Sequence, residues 1–350
     1  MAPTGRETPK RGPRLHLRVG DRVAVRSVEE ILASLDERGA LDALPFMPEM
    51  LKFSGQRFTV FKRADKVNDI VERSGLRRME NAVLLEEVRC DGMAHGACQA
   101  LCQILWKEAW LKRAPANEQP QSGAGVGGSS RVEDLLMDAA RRPAPNGEPV
   151  FSCQATEIRK ASSYLAWWDP RQHVRDLRSG NVGLAEMMRA FCFWLFTLLL
   201  RVRGHRVWIA LYEALQRLRG GDPFPLRQGK LTRTPSELLH LRPGEVVEVK
   251  SYDEILATLD AGNRNRGLAF DREMIKYCGG RFEVLSRVGR LVDPKSGRML
   301  TLTNDCITLK GVTTKGDYHR FYPQNVYPFW REIWLRRIGN GGGAERKRDA

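Results

Sequence analysis

The chain has no hydrophobic run long enough to cross a bilayer. Its most apolar stretch, AFCFWLFTLLL, counts eleven residues, against the roughly 20 that a transmembrane helix needs. Arg201, Arg203, His205 and Arg206 follow at once, which makes a longer single span costly. The opening stretch MAPTGRETPKRGPRL has no apolar h-region, so export through a signal peptide is not expected. The seven cysteines are then expected to be reduced, metal-bound or buried rather than paired in disulfides, and the expected compartment is the cytoplasm, with peripheral membrane contact left open. No phosphate-cradling glycine loop, catalytic triad or HExxH motif appears. No helix–turn–helix or RNA-binding motif appears either. Acidic residues are in deficit, 42 against 57 basic ones, for a net charge of +15. Such a field favours an anionic partner, a nucleic acid or a membrane surface; the plainer reading is a solvated basic surface.

What is present is a repeat. LRVGDRVAVRSVEEILASLD (Leu17–Asp36) recurs as LRPGEVVEVKSYDEILATLD (Leu241–Asp260), an offset of 224. The offset pairs Phe46 with Phe270, Glu49 with Glu273, Gly55 with Gly279, His95 with His319, Trp106 with Trp330 and Trp110 with Trp334. One register held over so many positions marks two copies, 15–114 and 239–338. In each, an alternating strand follows a glycine turn. A short helix comes next, with Ser27 and Glu30, or Ser251 and Glu254, spaced as a capping box. RFTVFKRA and RFEVLSRV read as the next strand, RMENAVLLEEV and RMLTLTNDCITL as hairpins, and a Trp-bearing helix closes each copy. The expected fold is α+β: two tandem SH3-like small β-barrels, joined by a flexible linker (115–149, with a short helix over Val132–Ala140) and a central basic helical region (150–238). Residues 1–14 and 339–350 read as a disordered arm and tail.

The first copy carries the densest donor set. Cys90, His95, Cys98 and Cys102 lie within thirteen residues, the ligand types that zinc or, alternatively, an iron–sulfur cluster takes. If Gly96 to Leu111 is helical, Cys98 and Cys102 share one face as i and i+4, with His95 just before the first turn. The spacing is not that of a common zinc finger, and Cys98 and Cys102 can also be read as small core residues. In the second copy the matching positions are Thr314, Tyr322 and Val326. A second site would need Cys278, Cys306 and His319 to converge with one further donor.

The central region holds Trp167 and Trp168 beside Arg171, His173, Arg175 and Arg178. From Ala155 to Arg233 there are fourteen Lys and Arg against six Asp and Glu, a difference of +8. Aromatic rings interleaved with arginines can stack bases and hold phosphates. The plainer reading packs the Trp pair between domains and pairs Asp169 and Asp176 with neighbouring arginines. Leu184 to Leu218 reads as helical, either a buried hairpin turning at Gly204 or an interfacial element.

The motifs GEVVEVKSYDEILATLD, KGDYHRFYPQNVYPFWREIWLRRI, RCDGMAHGACQALCQILWKEAWLKR and WWDPRQHVRDLRSGN resemble those of an uncharacterised bacterial family with two Cys/His-containing repeats flanking a central WWDPRQ region. The resemblance runs from Leu17 to Ile338. It implies cysteines in both copies, including at the places of Asn68, Thr314 and Tyr322, where this chain departs. It brings no established activity. The favoured expectation is a non-enzymatic, metal-stabilised scaffold or binding protein for an anionic surface or a protein partner. The rivals are a metal-dependent or acid/base enzyme centred on WWDPRQHVRD and a peripheral membrane protein.

Overall fold

The computed structural model describes residues 14–115, 130–143, 147–199, 214, 218, 227–314, 316 and 321–338. Residues 1–13 of the arm, the tail, the proposed turn at Gly204 and His319 lie outside them. The chain divides into two compact units: Met1–Leu198 with Arg290–Thr301 and Lys315–Val326, and Leu199–Gly289 with Leu302–Thr314 and Tyr327–Ala350. Both mix helix with small antiparallel sheets.

In the first unit β1 (Arg22–Val25) leads to α1 (Val28–Leu32), the short strands β2 (Ala40–Leu41) and β3 (Leu44–Pro45), a 3-10 turn at Pro48–Phe53, and β4 (Arg57–Arg63). Then come β5 (Lys66–Asn68), β6 (Leu76–Arg78), β7 (Ala82–Arg89), β8 (Gln103–Lys107) and β9 (Leu111–Arg113). Five of these pair in the order β8-β7-β4-β1-β9 to make a half-barrel. Ser27 starts α1 as its side chain accepts from the Glu30 N–H, while the Glu30 carboxylate accepts from Ser27 N, the reciprocal box the spacing predicts. The core is closed by Trp106 and Trp110, both fully buried, with Phe46 edge-on to Trp110 at 5.3 Å. Burying such a ring contributes about 1.5–3 kcal/mol. Below the half-barrel α2 (Ser130–Ala140) seats Leu136 in the same core, so this part of the predicted linker is a packed element. Further along are β10 (Arg141–Pro143), β11 (Pro149–Phe151), α3 (Gln154–Glu157), β12 (Ser163–Tyr164), α4 (Arg171–Ser179) and α5 (Leu184–Leu199). β6 does not form a hairpin with β7; it lies between β5 and β12.

The second unit repeats the plan. β13 (Val246–Val249), the helix Tyr252–Leu256, β14 (Arg264–Asn265), β15 (Leu268–Ala269), a 3-10 turn at Arg272–Tyr277 and β16 (Arg281–Arg287) follow in the same order. Ser251 and Glu254 form the same box, and Phe270 meets Trp334 at 5.3 Å. The register of β4 shifts between Val60 and Lys62, and that of β16 between Val284 and Ser286, the same place 224 residues on. The strands β17 (Arg290–Val292) and β18 (Met299–Thr301) pair together within the first unit. β19 (Ile307–Leu309) and β20 (Leu335–Arg337) complete the sheet β19-β16-β13-β20.

The helix predicted to close each copy is absent. Gln103–Lys107 is strand β8, paired with β7, and Glu108–Trp110 is a 3-10 turn; Glu332–Trp334 is the matching turn. Trp106 and Trp110 face one core either way, so their spacing does not separate the two readings. What decides is the backbone before them: Gly96, Ala97 and Leu101 all have left-handed φ, which breaks any helix there. The Glu108 carboxylate fixes the turn. It accepts from the backbone N–H groups of Leu15 (2.7 Å), His16 (3.1 Å) and Leu17 (3.2 Å) and from Arg63 (2.6 Å).

Candidate metal centre

Cys90 follows the last residue of β7. Its N–H donates to the Cys102 carbonyl at 2.9 Å, so the two cysteines stand opposite each other just past the Arg89↔Gln103 pair. Between them the chain makes a 3-10 turn, Met93–His95, flanked by Gly92 and Gly96. Gly92 has φ +72, and a Cβ there would fall 2.0 Å from the Cys98 carbonyl oxygen, so only glycine lets Cys98 fold back this far.

Glu49, in the 3-10 turn Pro48–Phe53, is buried beneath this loop. Its Oε1 accepts from Ala94 N at 3.0 Å and lies 2.8 Å from His95 Nδ1 and 3.8 Å from Cys90 Sγ. Glu49, Cys90 and His95 place their donor atoms within 4.8 Å of one another, the one such group among the described residues, and this cluster could hold a metal ion. Glu49 Oε2 is buried without a hydrogen-bond partner, a costly state for a lone carboxylate oxygen and one that a bound cation relieves.

The cluster has a wider thiol surround. His95 Nε2 lies 3.3 Å from the Ser152 carbonyl, which brings Cys153 alongside. Gln154 bonds the Leu105 backbone at both ends, accepting from N–H at 2.8 Å and donating to C=O at 2.9 Å, which holds this segment against β8. Burial pushes the Cys90 thiol far up, and the charges of Glu49, Cys102 and Cys153 push it further. Burial also raises Cys153, opposed by the N–H groups of Thr156 and Ala155 and reinforced by Cys98. Cys102 is exposed as a residue, yet protein crowds its sulfur; that crowding first, then the charges of Cys153 and Cys98, push it up to about 12. Cys98 Sγ accepts from the Val292 N–H of β17 at 3.3 Å.

Of the four donors predicted from sequence, Cys90 and His95 therefore meet in the compact group. Cys98 and Cys102 do not share a helix face, since no helix forms there. Glu49 completes the group instead. The signal for Glu49 was its pairing with Glu273, an acid kept in both copies inside an apolar stretch.

In the second copy Cys306 is buried against Arg331, whose guanidinium donates to its sulfur at 3.6 Å. Cys278 ends the 3-10 turn Arg272–Tyr277 and packs on the core. Among the described residues these two join no donor group.

Trp167 and Trp168 are 67% and 69% exposed. Arg171 and Arg178 are exposed on α4, with His173 and Arg175 half-buried. Asp176 does not pair with a neighbouring arginine; it meets Lys66 at 2.5 Å, both side chains buried. Burial raises the Asp176 carboxyl even against the Lys66 charge. On α5, Leu184, Met188, Phe191, Trp194, Leu195 and Leu198 are exposed, so this helix is not a buried core element. No helix of the described residues is long and apolar enough to cross a membrane. No protein-family model matches the chain, and no curated protein matches it.

Proposed function

We propose that the protein is a non-catalytic, metal-stabilised binding module for a polyanionic surface, built on two SH3-like copies, with the duplicated layout of the bacterial family it resembles. The observation that carries the reading is the exposure of Trp167 and Trp168 beside the exposed Arg171 and Arg178. Exposed rings close in sequence to exposed guanidinium groups suit base stacking and phosphate contacts together. In the same segment Asp176 is held in a buried ion pair with Lys66, while Asp169 Oδ1 accepts from the Arg171 N–H at 2.9 Å. The metal centre around Cys90 holds the end of the half-barrel rather than a substrate.

Anisotropy titration of a labelled single-stranded oligonucleotide tests the binding face. Affinity falls steeply with salt, and Trp167→Ala with Trp168→Ala weakens it at least tenfold, given roughly 1–3 kcal/mol per stacked base. Salt-insensitive binding, or unchanged binding in the double variant, refutes the reading. The exposed apolar face of α5 favours a second reading, an interfacial helix at an anionic bilayer. Sedimentation with phosphatidylglycerol vesicles, against phosphatidylcholine ones, separates the two.

A further inference from the structure

We propose that the first copy carries a peptide groove and that its occupant is the chain's own Thr8–Pro9, which lie outside the described residues. The groove is a cleft of about 330 Å3 within the first unit, lined by Leu41 and Asp42 of the β2–β3 turn, by Asn81 and Lys107, and by Arg14, where the described residues begin.

The second copy shows what such a groove holds. The turn between β14 and β15 stands 224 residues beyond the β2–β3 turn. A Thr-Pro pair lies on it. Thr234 Oγ1 accepts from the Arg266 N–H at 2.9 Å, and the Pro235 carbonyl accepts from the Asn265 side-chain amide at 2.9 Å. Arg331 is engaged beside it, donating to the carbonyls of Asn265 at 3.2 Å, Arg266 at 2.9 Å and Asp305.

The matching donors of the first copy are unmet among the described residues. Asp42 and Ala43 have the left-handed φ of Arg266 and Gly267, yet the Asp42 N–H has no acceptor of the kind that Thr234 supplies to Arg266. Lys107 stands where Arg331 stands, and its side chain is 2% exposed. Its ammonium donates to Asp42 Oδ2 and to the Glu80 carbonyl, both at 3.1 Å. An ammonium has three N–H donors, so one is left over on the cleft. A buried donor without an acceptor is costly, and a segment of chain in the cleft removes the cost. Leu41 stands at the place of Asn265 and has no amide to offer a proline carbonyl; the spare Lys107 N–H is the donor in its place.

The arm reaches this groove from the same anchor. The N–H groups of Leu15, His16 and Leu17 sit on Glu108 as those of Leu239, His240 and Leu241 sit on Glu332. A Thr-Pro pair precedes each anchor: Thr234 lies five residues before Leu239, and Thr8 seven before Leu15. The two additional residues give slack, at roughly 3.3–3.6 Å of reach apiece. A residue before proline is held extended, the conformation that lies along a groove.

Amide hydrogen exchange of the full chain, read by NMR, tests the occupant. The Asp42 N–H is expected to exchange on the order of tenfold more slowly in the wild type than in Thr8→Val, which keeps the branched shape and loses the acceptor. Thr234→Val is expected to free the Arg266 N–H likewise and calibrates the readout. An Asp42 amide that is already unprotected in the wild type, or protection that survives Thr8→Val, overturns the proposal. A benzophenone amino acid in place of Lys10, in a mixture of isotopically light and heavy chains, tests the source. Photocrosslinks to the β2–β3 turn within one chain are expected. Crosslinks that join light to heavy chains hand the groove to a second copy, and crosslinks away from that turn empty it; either result overturns docking of the chain's own arm.

Discussion

The two copies differ in what lies on their shared frame. In the first, Glu108 takes three backbone N–H groups from Leu15, His16 and Leu17 and pairs with Arg63. In the second, Glu332 takes those of Leu239, His240 and Leu241 and pairs with Arg287. Even the buried cation recurs: Lys107 reaches Asp42 and the Glu80 carbonyl, and Arg331 at the matching place reaches the Asn265 and Asp305 carbonyls. Above this frame the copies part. The first has thiols, the second Thr314, Tyr322 and Val326. The comparison separates residues that make the fold from residues that a site has been laid upon.

The sharpest way to break that separation is to remove whatever metal the proposed site holds. Closed structural zinc sites carry apparent binding free energies on the order of 10 kcal/mol. Chelation, or Cys90→Ser, is expected to strip hydrogen-exchange protection from β7 and β8 while β13 and β16 keep theirs. Cys306→Ser in the second copy is expected to cost only on the order of 1 kcal/mol, because serine still accepts from Arg331. Equal losses in both copies would show that the thiols belong to the frame after all.

A smaller effect tests the frame itself. Glu108→Ala strands three backbone N–H groups and leaves the Arg63 guanidinium, 13% exposed, without its deepest partner. Breaking a buried pair from one side costs about 3–5 kcal/mol. Glu332→Ala strands the matching three N–H groups, but Arg287 is 40% exposed and recovers solvation. Chemical denaturation is expected to show the larger midpoint shift for Glu108→Ala. The reverse order would mean that Asp65, which also pairs with Arg63, carries the charge balance alone.

These contrasts show how far the sequence could be read. Local signals transferred well. Ser27 with Glu30 and Ser251 with Glu254 are capping boxes because their geometry is set within four residues. GDRVAVRS became β1 because alternation is a property of the strand itself. The helix α2 lies where Val132–Ala140 predicted one. Reading failed where distant partners decide. Trp106 and Trp110 fit one face of a helix as well as a strand and turn, and the choice fell to pairing with β7 and to left-handed residues at Ala97 and Leu101. Cys98 and Cys102 were therefore assigned to a helix face that does not exist. Glu49 could not be tied to His95, because only the folded chain brings the turn Pro48–Phe53 onto it. The Trp167–Trp168 pair was legible as chemistry but not as exposed, since burial depends on what the rest of the chain covers.

The smallest effect is in acid, and its sign follows from Glu108. Burial alone would raise this carboxyl; the Arg63 hydrogen bond and charge, then the Leu17 and Leu15 N–H groups, outweigh it and hold the folded value below the ordinary one. A group depressed on folding contributes stability above its unfolded pKa and loses it as pH falls through the folded value. Wild-type stability is therefore expected to be flat above the ordinary glutamate range and to decline below it. Glu108→Gln keeps the shape and an acceptor oxygen but has nothing to titrate, so its stability is lower near neutrality and declines less steeply in acid. The two curves converge as the wild-type carboxyl protonates. Denaturation midpoints of both proteins from pH 7 downward decide the matter: parallel curves would mean that Glu108 acts through its hydrogen bonds alone and that its charge contributes nothing to the frame.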